Sequence, residues 1–108
     1  MKKYKVLIDS QAKLDLKEIF YYVARNDSIS SAEKLLDALE KTCNALEEFP
    51  ERGHVPIELQ PTGIKRYLEI YYKPYRVIYE IEKNVIYIHS VLDGRRNILE
   101  ILSERLLR

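Results

Sequence analysis

Residues 64–92, IKRYLEIYYKPYRVIYEIEKNVIYIHSVL, contain three runs that are rich in β-branched and aromatic residues. The runs occupy residues 64–72, 75–82 and 85–92. Lys73-Pro74 and Lys83-Asn84 separate them, and short breaks of this kind between such runs are typical of β-hairpins. The stretch therefore predicts a three-stranded antiparallel meander.

Apolar and polar side chains alternate along the first of these runs. Ile64, Leu68 and Ile70 share one side of the predicted strand. The other side carries Lys65, Tyr67, Glu69 and Tyr71. Because successive side chains of a strand point to opposite faces, we expect one buried face and one solvent-facing face.

A short strand and a first amphipathic helix are predicted at the start of the chain. Residues 3–9 alternate loosely, as a strand does, and the apolar period changes to three and four from Ser10 onward. The apolar stripe of this helix consists of Ala12, Leu16, Ile19, Phe20 and Val23. Asp9 or Ser10 is the expected N-cap.

A second amphipathic helix follows the polar break at residues 26–28. Ser30 and Glu33 have the spacing of a capping box, and Phe49-Pro50 is expected to end the helix. Its apolar stripe consists of Ala32, Leu35, Leu36, Leu39, Cys43 and Leu46. So short a turn between two helices predicts an antiparallel hairpin.

The rest of the chain predicts a loop and a final helix. Residues 50–63 hold three of the four prolines and two of the three glycines, and they show little periodicity. The final helix follows Asp93-Gly94. We therefore expect an α+β fold in the order β-α-α-β-β-β-α, with an antiparallel sheet and the N-terminal helical hairpin on one of its faces. Residues 1–108 are expected to form a single domain.

The composition excludes several classes of protein. The 18 Lys and Arg residues nearly balance the 17 Asp and Glu residues, so the net charge of +1 gives no general case for nucleic-acid binding. Cys43 is the only cysteine, and no apolar run approaches the roughly 18 residues of a membrane helix. We expect a cytoplasmic protein without a membrane partner, a metal site or a cofactor.

Local patches carry the case for chemistry. Basic residues and tyrosines interleave on the predicted solvent-facing side, a pattern that suits single-stranded RNA because guanidinium groups bind phosphates and aromatic rings stack on bases. On such a surface Glu69 or His89 would act as a general base, and Arg76 would stabilise the phosphate. Ordinary sheet packing and cross-strand ion pairs explain the same residues without any activity.

Three motifs, the last of them in two parts, occur in order between residues 12 and 96. Residues 12–24, AKLDLKEIFYYVA, have the form A-x-x-D-L-x-x-I-x-x-Y, and residues 46–56 have the form L-x-x-F-P…G…P. Residues 75–81, YRVIYEI, and 91–96, VLDGRR, are similar to Y-R-V-I-Y…V-L-H-G-R-R-D. On these passages the chain resembles the RelE/ParE toxin superfamily of plasmid-stabilisation proteins, and within it the ParE-like branch.

The resemblance implies the toxin of a type II toxin–antitoxin pair, which a small cognate antitoxin neutralises. The antitoxin would contact the helical hairpin at Ile19, Phe20, Leu35 and Leu39, and complexes of such pairs are often higher-order. ParE-like members inhibit DNA gyrase by direct binding and are not catalysts. RelE-like members cut mRNA on the ribosome and leave a 2′,3′-cyclic phosphate.

The motif positions favour the ParE-like mechanism. Tyr67 and Glu69 stand where RelE-like toxins carry lysines, and Asp93 stands where many relatives carry histidine. The resemblance then implies these target contacts: Lys65, Arg66, Tyr67, Arg95, Arg96 and Arg105. The alternative is a ribosome-dependent mRNA endonuclease with Arg76, Glu69 and His89 as its catalytic residues. A second alternative is a degenerate binding module without toxicity.

Overall fold

The computed structural model describes residues 3–106 and confirms the predicted order of elements. The elements are β1 (Lys5–Ile8), α1 (Ser10–Asn26), α2 (Ile29–Asn44), β2 (Tyr67–Tyr72), β3 (Tyr75–Glu82), β4 (Val85–Asp93) and α3 (Ile98–Leu106). Two short 3₁₀ helices, Ala45–Glu47 and Ile57–Thr62, lie between α2 and β2. None of the helices within residues 3–106 is long and apolar enough to span a bilayer.

The four strands form one sheet in the order β1-β4-β3-β2. The predicted meander is antiparallel, with Ile70 opposite Val77 and Val77 opposite Val91. β1 adds a parallel strand beside β4, with Ile8 opposite Ile88. The helical hairpin lies between β1 and the meander in sequence and supplies the long connection that a parallel pair needs.

Side-chain caps determine where the two long helices begin. Asp9 caps α1, as expected, since its Oδ1 accepts a hydrogen bond from the Ala12 N–H at 3.0 Å. The predicted capping box at Ser30 was wrong. The Ser28 backbone is extended and its Oγ accepts from the Ser31 N–H at 3.0 Å, so α2 begins two residues earlier than the box implied.

One face of the sheet packs against the helical hairpin. Ala12 and Leu16 of α1 and Leu39 and Cys43 of α2 lie in one buried cluster with side chains of the sheet. The sheet contributes Ile70, Tyr75, Val77, Tyr79, Ile86, Ile88 and Val91 to this cluster. The periodicity of both helices therefore identified the faces that they bury.

The opposite face of the sheet is also covered, contrary to the expectation of a solvent-facing surface. Leu59 of the 3₁₀ segment and α3 pack there in a second buried cluster: Leu59, Tyr67, Ile78, Leu92, Ile98 and Leu102. Tyr67 is 8% exposed and Glu69 is 1% exposed, whereas Tyr71 is exposed as predicted. The alternation of β2 did not indicate which distant segments would fold back over its polar side.

Candidate functional site

The hydroxyl of Tyr79 forms hydrogen bonds that hold residues 50–53, after α2, against the sheet. This hydroxyl donates to the Pro50 carbonyl at 2.8 Å and accepts from the Gly53 N–H at 3.1 Å. A Cβ on Gly53 would lie 2.6 Å from the Glu69 carbonyl oxygen, so the close approach requires glycine. Two backbone hydrogen bonds between His54 and Glu69, at 2.7 and 3.2 Å, then place the segment beside β2.

The guanidinium of Arg76 forms ion pairs with two carboxylates. Its Nε donates to Glu69 Oε1 at 2.6 Å. Its Nη1 and Nη2 donate to the two oxygens of Glu58 at 2.8 and 2.6 Å, which is the bidentate geometry that arginine also uses for phosphate. The side chains of Arg76, Glu69 and Glu58 are 10%, 1% and 19% exposed. Sequence analysis predicted Arg76 and Glu69 as candidates and missed Glu58, because no periodicity relates a loop residue to a strand.

Electrostatics favour the charged forms of Glu58 and Arg76. The hydrogen bond from Arg76 lowers the pKa of Glu58, and the two carboxylates raise the pKa of Arg76 against the opposing effect of burial. The one guanidinium is shared by two carboxylates, and the described residues contain no buried side-chain polar atom without a hydrogen-bond partner. A phosphate would reach the fork of Arg76 only by displacing Glu58.

His54 and Tyr71 flank the same cluster at the surface. His54 Nε2 lies 3.1 Å from Glu69 Oε2, and the Tyr71 hydroxyl donates to that oxygen at 3.1 Å. The His54 side chain is 55% exposed. His54 lies in the predicted loop of residues 50–63, and no sequence pattern indicated its contact with Glu69.

His89 lies apart from Arg76 and Glu69. Its Nδ1 is 2.7 Å from Ser90 Oγ, and its ring packs edge-to-face on Tyr67 with 5.7 Å between the centroids. Within residues 3–106 it forms no hydrogen bond to Arg76 or Glu69. Burial lowers the pKa of His89, and the charge of Arg105 adds to that effect. The three candidate catalytic residues therefore do not form one cluster.

Arg105 was expected to be free at the surface for target binding. Its guanidinium instead forms hydrogen bonds within the protein. It donates two hydrogen bonds to Asp15 of α1, at 2.8 and 2.9 Å, and a third to Ser90 Oγ at 2.9 Å. The side chains of Arg105 and Asp15 are 19% and 4% exposed. Arg105 thus contributes to the packing of α3 against the rest of the fold.

The other expected target contacts fall into two exposed groups, except for Tyr67, which is buried. Lys65 and Arg66 precede β2, and Arg66 pairs with Glu80 while its guanidinium stacks 5.0 Å from the Tyr67 ring centroid. Arg95 and Arg96 follow β4 and are both exposed. Arg95 holds Asp93 with hydrogen bonds of 2.9 and 2.6 Å, which lower the pKa of Asp93.

The helical hairpin offers only part of the apolar surface expected for the antitoxin. Ile19, Phe20 and Leu35 are half-buried, but Leu39 is fully buried in the core and cannot contribute exposed surface. Leu39 lies at the centre of the apolar stripe of α2. The sequence pattern does not distinguish the central residues of such a stripe from those at its edges. Phe20 lines a groove of about 410 Å³ beside α1 and α2, whose walls are formed by Ile8, Lys13, Leu16, Lys17, Phe20, Tyr21, Leu36 and Glu40.

Within residues 3–106, no group of three or more His, Cys, Asp or Glu side chains is arranged to hold a metal ion.

Solved structures of bacterial toxins share this fold. A chain of the chromosomal ParDE toxin–antitoxin system of P. aeruginosa superposes with a TM-score of 0.69 at 13% identity, covering 84% of this chain and 96% of that one. A chain of the toxin–antitoxin complex RelBE2 of Mycobacterium tuberculosis superposes with a TM-score of 0.63 at 19% identity, covering 86% and 93%. The architecture is therefore that of the RelE/ParE toxins.

Sequence comparison identifies the family. The model of the ParE toxin of the type II toxin–antitoxin system parDE matches residues 6–98. Toxin ParE3 of Caulobacter vibrioides is 29% identical over 91 residues, which cover 84% of this chain and 87% of that protein. The chain belongs to the ParE toxin family of type II toxin–antitoxin systems.

Proposed function

We propose that this toxin inhibits DNA gyrase by direct binding and does not cleave RNA. The observation that carries the proposal is the double ion pair of Arg76. An endonuclease of this fold would need that guanidinium to stabilise the phosphate, but Glu58 holds its two terminal nitrogens at 2.6 and 2.8 Å. Displacing Glu58 would leave a largely buried carboxylate without its partner.

The position of His89 supports the same proposal. A general acid or base must come within hydrogen-bond reach of the group that it protonates or deprotonates. The imidazole of His89 packs on Tyr67 and Ser90, and α3 covers this face of the sheet. Burial lowers the pKa of His89 and so disfavours the imidazolium form that a general acid needs.

We further propose that a cognate antitoxin binds the groove at Phe20. The groove combines apolar walls with two lysines, Lys13 and Lys17, and one carboxylate, Glu40. An amphipathic helix with acidic flanks would bury its apolar side there and place carboxylates near the lysines. Phe20→Asp should then release the antitoxin from the co-purified complex, whereas Phe49→Asp, at an exposed aromatic residue outside the groove, should not.

A ribosome-dependent mRNA endonuclease is the second candidate, and one observation favours it. His54 and Tyr71 are exposed and both contact Glu69, so a carboxylate, an imidazole and a phenol meet at one opening of the surface. These groups are able to exchange protons. The obstacle to this candidate is the occupation of Arg76 by Glu58.

Purified components separate the two candidates. The toxin is incubated with DNA gyrase and relaxed plasmid, and separately with translating ribosomes and a defined mRNA. The proposal predicts loss of supercoiling at toxin concentrations that leave the mRNA intact. Cleavage of the mRNA with normal supercoiling would overturn it in favour of the endonuclease.

A further inference from the structure

A cavity of about 630 Å³ lies between the second half of α1 and the nearby ends of β3 and β4. α1 contributes Tyr21, Tyr22 and Arg25 to its lining. Tyr75 at the start of β3 and Arg96 after β4 line the cavity as well. Tyr22, Tyr75 and Arg96 occupy motif positions of the sequence and Tyr21 and Arg25 do not, and the fold brings the five side chains together around one cavity.

Free positive charge distinguishes the cavity. Two of its acidic residues are already neutralised, Asp15 by Arg105 and Asp93 by Arg95. Neither Arg25 nor Arg96 forms an ion pair with any residue in the range 3–106. Glu18 is the one acidic lining residue that remains unpaired among those residues, so two free cations face one free anion.

The tyrosines provide an apolar wall beside these cations. The large apolar rings of Tyr21 and Tyr22 are 52% and 61% exposed. Tyr75 is 8% exposed and forms the floor of the cavity. Tyrosine and arginine are among the residues most enriched at the energetic centres of protein–protein interfaces. A concave surface built from both is suited to a side chain that inserts from a partner.

We propose that this cavity is where the toxin docks on its target protein, which supplies an acidic side chain to Arg25 and Arg96 and an adjacent apolar side chain to the tyrosines. The inference rests on the proposed function, in that the toxin acts by binding a protein. The two unpaired arginines give the charge complementarity that selects an acidic partner segment. The tyrosines provide the buried contact area.

The chemistry of the lining favours a target protein over RNA and over the antitoxin. With Asp15 and Asp93 paired, Arg25 and Arg96 face only the free Glu18 carboxylate, and this small excess of positive charge suits a single acidic side chain better than a chain of phosphates, whose binding rests on many Lys and Arg contacts. The groove at Phe20 is the more apolar of the two concave surfaces and suits a permanent partner, because long-lived interfaces are more hydrophobic than transient ones. The mixed, tyrosine-rich cavity suits a transient one.

The test is a double charge reversal, Arg25→Glu with Arg96→Glu. Its matched control is Arg52→Glu with Lys34→Glu, which changes the net charge equally at exposed residues outside both concave surfaces. Binding to purified gyrase is measured for each, together with the urea midpoint as a check of folding. We expect the cavity variant to bind at least about 30-fold more weakly than wild type and the control to stay within about threefold.

Three results would overturn the inference. One is wild-type affinity of the folded cavity variant for gyrase, and another is equal weakening by the control. The third is loss of the co-expressed antitoxin from the cavity variant with gyrase binding intact, which would assign the cavity to the antitoxin.

Growth inhibition separates failure of this inference from failure of the proposed function. If the wild-type toxin arrests growth but does not bind gyrase, the proposed target is wrong. The cavity is then judged by the growth assay alone. A folded cavity variant that no longer arrests growth, beside a control that does, supports the docking site for another target protein. A cavity variant as toxic as wild type overturns it.

Discussion

Arg105 of α3 and Asp15 of α1 form a bidentate ion pair at the free end of β4, with distances of 2.8 and 2.9 Å. Asp15 also accepts the Val91 N–H at 2.9 Å. β1 pairs with β4 only as far as Ile88, so Val91 lies beyond the end of that pairing. The Asp15 carboxylate therefore replaces a neighbouring strand at this edge and connects α1, β4 and α3.

Replacing Asp15 with alanine should destabilise the fold strongly. The change leaves the Val91 N–H without an acceptor and Arg105 without its carboxylate, with only Ser90 Oγ as partner, in a mostly buried location. Removal of one member of a buried ion pair costs about 3 kcal/mol or more. Urea denaturation measures this loss. Lys41→Ala removes the exposed Asp37–Lys41 pair and should cost less than about 0.5 kcal/mol, so equal effects of the two changes would contradict this account.

Deletion of α3 should unfold the protein and is therefore an unsuitable test of target binding. Ile98 and Leu102 lie in the second buried cluster, and Arg105 pairs with Asp15. The deletion should abolish the cooperative urea transition. A truncated chain that still unfolds cooperatively near the wild-type midpoint would show that α3 is peripheral to the core.

The Glu58–Arg76 pair should make stability depend on pH. The pKa of Glu58 lies below its ordinary value near 4.5 in the folded protein. Its stabilising contribution is therefore complete above that value and is lost as the pH falls through the lower folded pKa. The difference in unfolding free energy between wild type and Glu58→Gln should stay constant between about pH 7 and about pH 5 and shrink below about pH 4.5.

Urea denaturation over this range supplies the measurement, and Glu48→Gln, at an exposed glutamate without an ion pair in residues 3–106, is the control. A Glu58→Gln difference that stays constant down to about pH 3 would contradict the ion pair. So would a Glu48→Gln variant that follows the same pH course as Glu58→Gln.

Cys43 should be unreactive in the native protein. It is fully buried on α2, and burial raises the pKa of its thiol to about 12. Only the thiolate attacks disulfide reagents, so the reaction must wait for opening of the structure. Labelling by a chromogenic disulfide reagent near pH 8 should be at least about 100-fold slower than in urea. Rapid stoichiometric labelling of the native protein would contradict the packing of α2.

His89→Gln and Glu69→Gln should leave toxicity largely intact in induced cells. Neither residue acts in catalysis under the proposed function, and Arg76 keeps Glu58 as a partner in both variants. Growth arrest after induction is measured at equal levels of folded toxin. A general acid or base contributes about 100-fold or more to rate, so a loss of that size in either variant would favour the endonuclease.

Local sequence patterns predicted most of the fold but little of the candidate site. The meander and both helical stripes follow from periodicity, and the Asp9 cap follows from its chemistry. The Glu58–Arg76 pair joins a loop to a strand 18 residues away, and the Asp15–Arg105 pair spans 90 residues. No periodicity relates such positions. The cover that Leu59 and α3 place over Tyr67 was missed for the same reason.

Pulse labelling of cells after induction tests the central claim most directly. Thymidine and methionine incorporation are followed side by side through the first minutes, with the Arg25→Glu, Arg96→Glu double variant as the control for target binding. A toxin that binds gyrase should stop thymidine incorporation first, while methionine incorporation continues. In cells that express the double variant, both thymidine and methionine incorporation should continue. An early fall in methionine incorporation with thymidine incorporation intact would contradict the account and point to the ribosome.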